Sequence, residues 1–285
     1  MDEWLAEFIA EERLPDTFAL TFEEVCEPLA DRCVDWRTDF GRTAFVGLCG
    51  AQGSGKSTIA AATAKHLRHH GLNAVAISLD DFYLGREARG WLAGKVHRLL
   101  QVRGPPGTHD VALACSVLDF LRGPGATSIP SFDKATDERR AKWEWPTVEG
   151  PADVVILEGW CVGARPEPAE RLPEPVNGLE RREDPTRAWR SYVNRQLAEP
   201  YQALFGRLDR LVLLQAPGFD VVRGWRIEQE AKLRARTGGG MSDGEVGRFV
   251  QYYERLTRWI LAEMPERADW VVPLNPDRSP VPSTT

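Results

Sequence analysis

The sequence has no long hydrophobic run, and none of its apolar stretches approaches the ~18 residues that a membrane-spanning helix requires. The first eight residues are acidic and lack the basic region and apolar core of a signal peptide. Positive charge is not in excess either: the net charge of −6 disfavours a general nucleic-acid binder, because phosphate backbones demand clustered basic surface. We therefore expect a cytoplasmic protein that binds neither membranes nor nucleic acid.

Cysteine is scarce, and its spacing excludes the usual cysteine chemistry. The five cysteines are odd in number and scattered, with no Cys-x-x-Cys pair, so neither a disulfide framework nor a zinc site is predicted. We expect them to be small buried hydrophobic residues. Hydrophobic residues make up 42% of a 285-residue chain, which is enough for a large α/β core.

Residues 43 to 58 combine an apolar strand with the pattern Gly-x-x-x-x-Gly-Lys-Ser. Its glycines let the backbone turn N–H groups toward phosphate oxygens, and the following helix adds its positive amino-terminal end. Lys56 is expected to reach the β- and γ-phosphates, and the Ser57 hydroxyl to bind Mg²⁺. The alternative is a glycine-rich turn without a ligand, but the strand before it and the helical spacing after it favour a nucleotide site. The predicted ATP-binding residues are Gly50, Ala51, Gln52, Gly53, Ser54, Gly55, Lys56, Ser57 and Thr58.

The remaining periodicity alternates between strands and helices, which predicts an α/β fold with a mostly parallel sheet and helices on both faces. The predicted strands are 43–49, 73–79, 153–157, 210–215 and 269–274, and the predicted helices are 55–70, 110–122, 189–205, 220–236 and 243–263. Residues 1–40 have helical periodicity in two pieces and are interpreted as a helical extension packed on a domain of residues 41–285. Prolines crowd residues 163–187, so we expect an exposed loop or insertion without regular helix.

Carboxylates follow two of the predicted strands, at the sheet edge where open α/β sheets bind ligands. Asp80 is the candidate to orient an acceptor hydroxyl and take its proton, with Asp81 as a substrate or metal-shell partner and Tyr83 as a substrate-binding residue. Glu158 ends the strand Val-Val-Ile-Leu and is the candidate to hold Mg²⁺ opposite Ser57. The structural alternatives are turn caps for the aspartates and an ordinary strand end for Glu158.

Two segments offer groups for a small anionic acceptor. Residues 101 to 110 form a rigid turn before a helix, which we call the acceptor turn. In it, Arg103, His109 and Asp110 are candidate substrate-binding residues. Lys134, in Pro-Ser-Phe-Asp-Lys, is another candidate anion partner. A structural turn with its helix cap, and a plain surface loop, are the respective alternatives.

An arginine-rich helix precedes the glycines 238 to 240. Arg226, with Arg223, is predicted to act as a lid that stabilises charge on the transferred phosphoryl group and excludes water. The alternative is a solvated helix, which mixtures of arginine and glutamate usually form. The aromatic residues Phe249, Tyr252, Tyr253 and Trp259 are interpreted as core.

Together these motifs resemble D-glycerate 3-kinase and, more widely, the P-loop kinases of the phosphoribulokinase, uridine kinase and pantothenate kinase group. The resemblance rests on Gly-Ala-Gln-Gly-Ser-Gly-Lys-Ser at 50–57, Ser-Leu-Asp-Asp-Phe-Tyr at 78–83, Arg-Gly-Pro-Pro-Gly-Thr-His-Asp at 103–110, Pro-Ser-Phe-Asp-Lys at 130–134 and Leu-Glu-Gly-Trp at 157–160. It implies a P-loop fold, ATP and Mg²⁺ as cofactors, Asp80 as the acceptor-activating aspartate, Glu158 as the metal-side acid and Arg226 in the lid.

The sequence thus predicts an ATP-dependent kinase of a small molecule, D-glycerate or a related hydroxy acid. Another acceptor, such as a nucleoside or a pantothenate-like compound, is an alternative within the same class. A regulatory P-loop NTPase is an alternative from a different class, but it would need a water-positioning residue and switch segments in place of the acceptor turn.

Overall fold

The structure is a computed structural model that describes residues 2–237 and 239–281. In this part of the chain the principal sheet has five parallel strands in the order β2-β7-β1-β8-β9. Two small antiparallel pairs, β3 with β6 and β4 with β5, lie outside it. The strands are β1 (Ala44–Gly50), β2 (Ala74–Ser78), β3 (Gly125–Ser128), β4 (Phe132–Asp133), β5 (Glu138–Arg139), β6 (Thr147–Gly150), β7 (Val154–Gly159), β8 (Arg210–Gln215) and β9 (Trp270–Pro273).

Helices connect the strands, as the alternating pattern predicts. π-Helical turns at Phe22–Cys26 and Leu197–Tyr201 join α2 to α3 and α8 to α9, respectively. The helices are α1 (Glu3–Glu11), α2 (Phe18–Thr21), α3 (Glu27–Phe40), α4 (Lys56–His69), α5 (Arg86–Lys95), α6 (Val111–Leu121), α7 (Gly178–Glu183), α8 (Ala188–Gln196), α9 (Gln202–Phe205), α10 (Phe219–Thr237), α11 (Asp243–Phe249) and α12 (Gln251–Glu263). None of the helices within the described residues has the length and hydrophobicity needed to span a bilayer.

Each face of the sheet has its own hydrophobic core, because alternate residues of a strand point to opposite faces. Phe45, Val155 and Leu213 belong to one core, which includes residues of α6, α9 and α12. Val46 and Ile156, one residue further along their strands, belong to the other. This explains why β1 and β7 are apolar without alternation: both of their faces are buried.

The amino-terminal helices are part of the second core. Trp4, Phe8 and Leu29 are buried in the same cluster as Val46 of β1. The helical periodicity of residues 1–40 therefore corresponds to helices that cover one face of the sheet. The division into residues 1–40 and 41–285 stays a prediction.

Residues 163–187 are exposed and irregular over much of their length, as expected, but they also contain a helix and buried acids. A six-residue helix, α7, forms within the segment, capped by the Asn177 side chain, which accepts a hydrogen bond from the Glu180 N–H. Glu180 and Asp184 are fully buried. The expected lack of regular helix was wrong at α7, because it considered only the local effect of proline. The buried acids are held by arginines from α8 and α12.

The break predicted between the arginine-rich helix and the next helix includes Gly238, which lies outside the described residues. α10 ends at Thr237, and α11 begins at Asp243 with a capping box in which Ser242 and Glu245 bond each other's backbone N–H. Gly240 has a φ of +145°, a conformation that glycine adopts without strain.

Candidate active site

The order of the sheet places three candidate segments side by side. β7 lies between β1 and β2, so the phosphate loop after β1, Glu158 in β7 and Asp80 after β2 share the carboxyl edge of the sheet. Parallel strands end at one edge, which is where ligands bind in this class of fold. The order of these segments along the chain is visible in the sequence, but their neighbourhood in space depends on the order of the strands in the sheet.

The phosphate loop has the backbone that its glycines predict. Gly53 and Gly55 have φ values of +80° and +88°, and α4 begins directly after Gly55. A Cβ atom on Gly53 would lie 2.8 Å from the Cβ atom of Trp225, so helix α10 packs directly against the loop. The loop is therefore fixed between the sheet and α10, with the amino-terminal end of α4 available to an anion.

Ser57 and Glu158 meet beside the loop. The Ser57 hydroxyl donates a hydrogen bond to Glu158 Oε1 over 2.8 Å. Glu158 is only 4% exposed, and its Oε2 atom is buried without a hydrogen-bond partner among the described residues. An unpartnered buried carboxylate oxygen next to a hydroxyl is a donor set that suits a divalent cation.

A cation at this position needs further ligands. No group of three or more histidine, cysteine, aspartate or glutamate side chains within residues 2–237 and 239–281 is arranged to hold a metal. Ser57 and Glu158 therefore fit Mg²⁺, which keeps several waters and binds substrate phosphates, better than a metal that needs a full protein cage.

Asp80 lies in the turn Leu79–Phe82 that follows β2, and both of its carboxylate oxygens are occupied. Lys134 Nζ lies 2.6 Å from Oδ2, and the Tyr83 hydroxyl donates to Oδ1 over 2.7 Å. Burial by itself raises the pKa of Asp80, but the charges of Lys134 and Lys56 and these two hydrogen bonds outweigh it and lower the pKa to about 2. Asp80 is thus an ionised carboxylate.

Asp81 has a different environment from its neighbour. Its Oδ1 atom accepts a hydrogen bond from the Phe132 N–H at 3.1 Å, which attaches strand β4 to the turn after β2. Burial, helped by the charges of Asp80 and Glu158, raises the pKa of Asp81 to about 6 despite this bond and the nearby charge of Lys134. The two carboxylates therefore differ in pKa and in partner.

The acceptor turn is built around buried polar contacts. His109 stacks on Tyr83 with a centroid distance of 4.6 Å, and its Nδ1 atom lies 2.5 Å from the Tyr201 hydroxyl. Burial lowers the pKa of His109 to about 4, so the ring is neutral at physiological pH. Its Nε2 atom is buried and has no partner within the described part of the chain. The role of His109 in binding substrate stays a prediction.

Arg103 and Asp110 have structural partners as well as places in the site. Arg103 forms an ion pair with Asp137, which also binds Arg89. Asp110 caps α6 by accepting from the Leu113 N–H, and its second oxygen pairs with Arg139. The structural alternative therefore applies to Asp110, and its role in binding substrate stays a prediction.

Arg226, the predicted lid residue, lies one residue after the tryptophan that packs on Gly53. It pairs with Glu230 and Gln229 of its own helix, and its guanidinium lies 5.1 Å from the centre of the Phe249 ring. Its Nε atom is buried and lacks a hydrogen-bond partner in the described ranges. Arg223 instead lies near Gly247 of α11. Arg226 thus follows the residue that contacts the phosphate loop, but its side chain is bound to residues of α10, and its role in the lid stays a prediction.

Three aromatic side chains support the acceptor turn, and sequence reasoning missed their contacts. The Tyr253 hydroxyl donates to the Arg103 carbonyl over 3.1 Å, Trp160 Nε1 donates to the Gly104 carbonyl over 3.1 Å, and the Tyr201 hydroxyl accepts from the Gly107 N–H at 3.0 Å. We interpreted Tyr253 as core, and it is buried, but its hydroxyl is used. No local pattern marks such a residue.

Comparison with known proteins agrees with this geometry. No protein-family model matches the chain. An uncharacterized kinase of Schizosaccharomyces pombe, mug58, is 38% identical over 222 residues, which cover 75% of this chain and 79% of that protein. The chloroplastic D-glycerate 3-kinase of Arabidopsis thaliana is 31% identical over 218 residues, covering 73% of this chain and 45% of the plant protein.

A solved structure gives the same result. The D-glycerate 3-kinase of Cryptococcus neoformans superimposes with a TM-score of 0.77 at 27% identity, covering 90% of this chain and 97% of the fungal chain. The resemblance that the motifs indicated is confirmed, and so are the P-loop fold and the enzyme class. The chain belongs to the family of ATP-dependent P-loop kinases that includes D-glycerate 3-kinase.

Proposed function

We propose that the protein transfers the γ-phosphoryl group of Mg²⁺-ATP to a hydroxyl of D-glycerate or a related hydroxy acid. The observation that carries the proposal is the position of Asp80, an ionised carboxylate in the turn after β2, and β2 is the strand next but one to β1 in the sheet. Two similar proteins are named D-glycerate 3-kinases, which supports this acceptor. We further propose that the enzyme acts in the cytoplasm, without nucleic acid or membrane partners.

In this reaction Asp80 orients the acceptor hydroxyl and takes its proton as the oxygen attacks the γ-phosphorus. Lys56 and Arg226 place positive charge beside the phosphates, where negative charge develops. Ser57 and Glu158 would hold Mg²⁺, which would supply positive charge to offset the negative charge of the phosphates. His109, kept neutral by burial, and Tyr83 line the acceptor side together with Asp81, Arg103, Asp110 and Lys134.

The first test measures ADP release by the purified protein with Mg²⁺-ATP, without acceptor and with D-glycerate, L-glycerate, pantothenate or uridine. Stimulation by D-glycerate alone supports the proposal. Stimulation by another acceptor supports kinase activity but shows that the substrate is that acceptor and not D-glycerate. Equal hydrolysis in every sample contradicts the acceptor role and favours a regulatory NTPase.

The second test replaces the proposed base. Asp80→Asn should lower kcat by about 10² to 10⁴-fold while ATP affinity changes little, because Asp80 contacts the acceptor and not the nucleotide. Asp39→Asn is the matched control, since Asp39 is an exposed aspartate near the end of α3. Turnover of Asp80→Asn equal to that of Asp39→Asn would remove Asp80 from the mechanism.

A further inference from the structure

The proposed base is not free to act in this structure. Lys134 Nζ lies 2.6 Å from one oxygen of Asp80, and the Tyr83 hydroxyl lies 2.7 Å from the other. A carboxylate that already accepts an ammonium and a hydroxyl resists taking a further proton, because protonation would sacrifice the ion pair. Departure of one of these partners would make Asp80 a stronger acceptor for the proton of a substrate hydroxyl.

Lys134 is the partner that can leave. Its side chain is 59% exposed, whereas Tyr83 is buried and stacked on His109. An exposed ion pair is weak enough to exchange partners, since water and a new anion compensate the ammonium. Rotation of a flexible four-carbon side chain suffices, and no backbone movement is required.

The backbone that carries Lys134 is fixed. Lys134 lies in the turn between β4 and β5, and this hairpin is attached at three points. The Phe132 N–H bonds Asp81, Asp137 binds Arg89 and Arg103, and Glu138 accepts from the Arg86 N–H. Because its backbone is fixed, the Lys134 ammonium can move only as far as its side chain reaches, at the acceptor side of the site.

Three arginines near the acceptor turn have carboxylates of their own. Arg103 pairs with Asp137, Arg139 with Asp110, and Arg226 with Glu230. Lys134 differs because its carboxylate is the one that the reaction needs. A carboxylate on the incoming acceptor offers Lys134 an equivalent partner, and a neutral acceptor does not.

We propose that Lys134 is a latch on the catalytic base: it holds Asp80 while the site has no acceptor, and the carboxylate of a hydroxy acid draws its ammonium away. This rests on the proposed function, in which Asp80 is the base. The acceptor O–H proton then passes to Asp80 as the new O–P bond forms and the bond from the γ-phosphorus to ADP breaks, and the proton later leaves to solvent. The latch selects anionic acceptors and restrains attack by water on ATP.

The test compares the wild-type protein with Lys134→Ala, Lys134→Arg and the control Lys142→Ala. Lys142 is an exposed lysine in the neighbouring short helix Lys142–Glu144. ADP release is measured without acceptor, with D-glycerate and with its neutral amide D-glyceramide. Thermal unfolding checks that the variants are folded, and we expect little change because the Lys134 side chain is mostly exposed.

Lys134→Ala should raise acceptor-free ATP hydrolysis about tenfold and raise KM for D-glycerate at least about tenfold, with KM for ATP unchanged. Its preference for D-glycerate over D-glyceramide should disappear. Lys134→Arg should raise acceptor-free ATP hydrolysis much less than Lys134→Ala does, because it keeps the positive charge. Lys142→Ala should match the wild type.

Two results would overturn the latch: acceptor-free hydrolysis of folded Lys134→Ala that is no higher than the wild-type rate, or stimulation of wild-type ADP release to the same extent by D-glycerate and by D-glyceramide. Failure of the proposed function looks different. If wild type ignores both acceptors while Lys134→Ala still hydrolyses ATP faster, the acceptor is corrected and the latch stands.

Discussion

Replacement of Arg255 by methionine should destabilise the protein strongly, although Arg255 lies outside the phosphate site. Arg255, on α12, holds the segment 163–187 through buried acids. Its Nε and Nη2 atoms bond the two carboxylate oxygens of Glu180 at 2.7 and 2.8 Å, and its Nη1 atom bonds Glu167 at 2.8 Å. The Arg255 side chain is 11% exposed and that of Glu180 is fully buried.

The expected cost follows from what Arg255→Met leaves behind. Glu167 keeps its ion pair with Arg171, but Glu180 keeps only the hydrogen bond from the Val176 N–H among the partners described here. Removal of one partner from a buried ion pair costs about 3 to 5 kcal/mol, because the remaining charge is buried without compensation. At about 2 °C per kcal/mol for a chain of this size, Tm should fall by about 6 to 10 °C.

Thermal and urea unfolding measure this loss. Arg258→Met is the matched control, since Arg258 is on the same helix, pairs with Glu254 four residues earlier and is 50% exposed. It should cost less than about 1 kcal/mol. The double variant Arg255→Met with Glu180→Leu should recover most of the loss, because no buried charge is then left at position 180. Equal Tm values for Arg255→Met and Arg258→Met would refute the reasoning.

Two further predictions concern the loop and the acceptor turn. Without nucleotide, Gly53→Ala should lower the free energy of unfolding more than Gly55→Ala. Both glycines have positive φ, but only at Gly53 would a Cβ atom meet Trp225. Equal losses of Tm in thermal unfolding would exclude that contact as a cause. Burial lowers the pKa of His109 from 6.5 to about 4, so between these pH values the unfolded chain binds a proton that the folded chain rejects, and stability falls as pH falls. His109→Gln should flatten this dependence in urea unfolding at pH 7 and pH 5, and an unchanged slope would contradict the prediction.

Much of the fold was predictable because its signals are local. The predicted strand 43–49 is Ala44–Gly50, and the predicted strand 153–157 is Val154–Gly159. Continuous apolar runs with turn signals at their ends define such strands without reference to the rest of the chain. The predicted helix 55–70 is Lys56–His69, for the same reason.

Short elements and distant partners were not predictable in this way. The pairs β3–β6 and β4–β5 have only two to four residues in each strand, too few for a periodic signal. The segment 163–187 appeared exposed because prolines are visible in the sequence, whereas Arg255, which binds its acids, is about 70 to 90 residues further along the chain.

The sequence by itself determined the phosphate loop, the strand-end carboxylates and the class of enzyme, because glycines, Lys56 and Ser57 act within one turn of the backbone. The tertiary structure alone decided that Lys134 forms an ion pair with Asp80, 54 residues away in the sequence. It also decided that Tyr253 donates a hydrogen bond to the acceptor turn, 150 residues away. Such contacts depend on the strand order and on the packing of the helices over the sheet. Their pairing is a property of the folded chain, since a side chain's partner is whichever group the fold brings within a few ångströms.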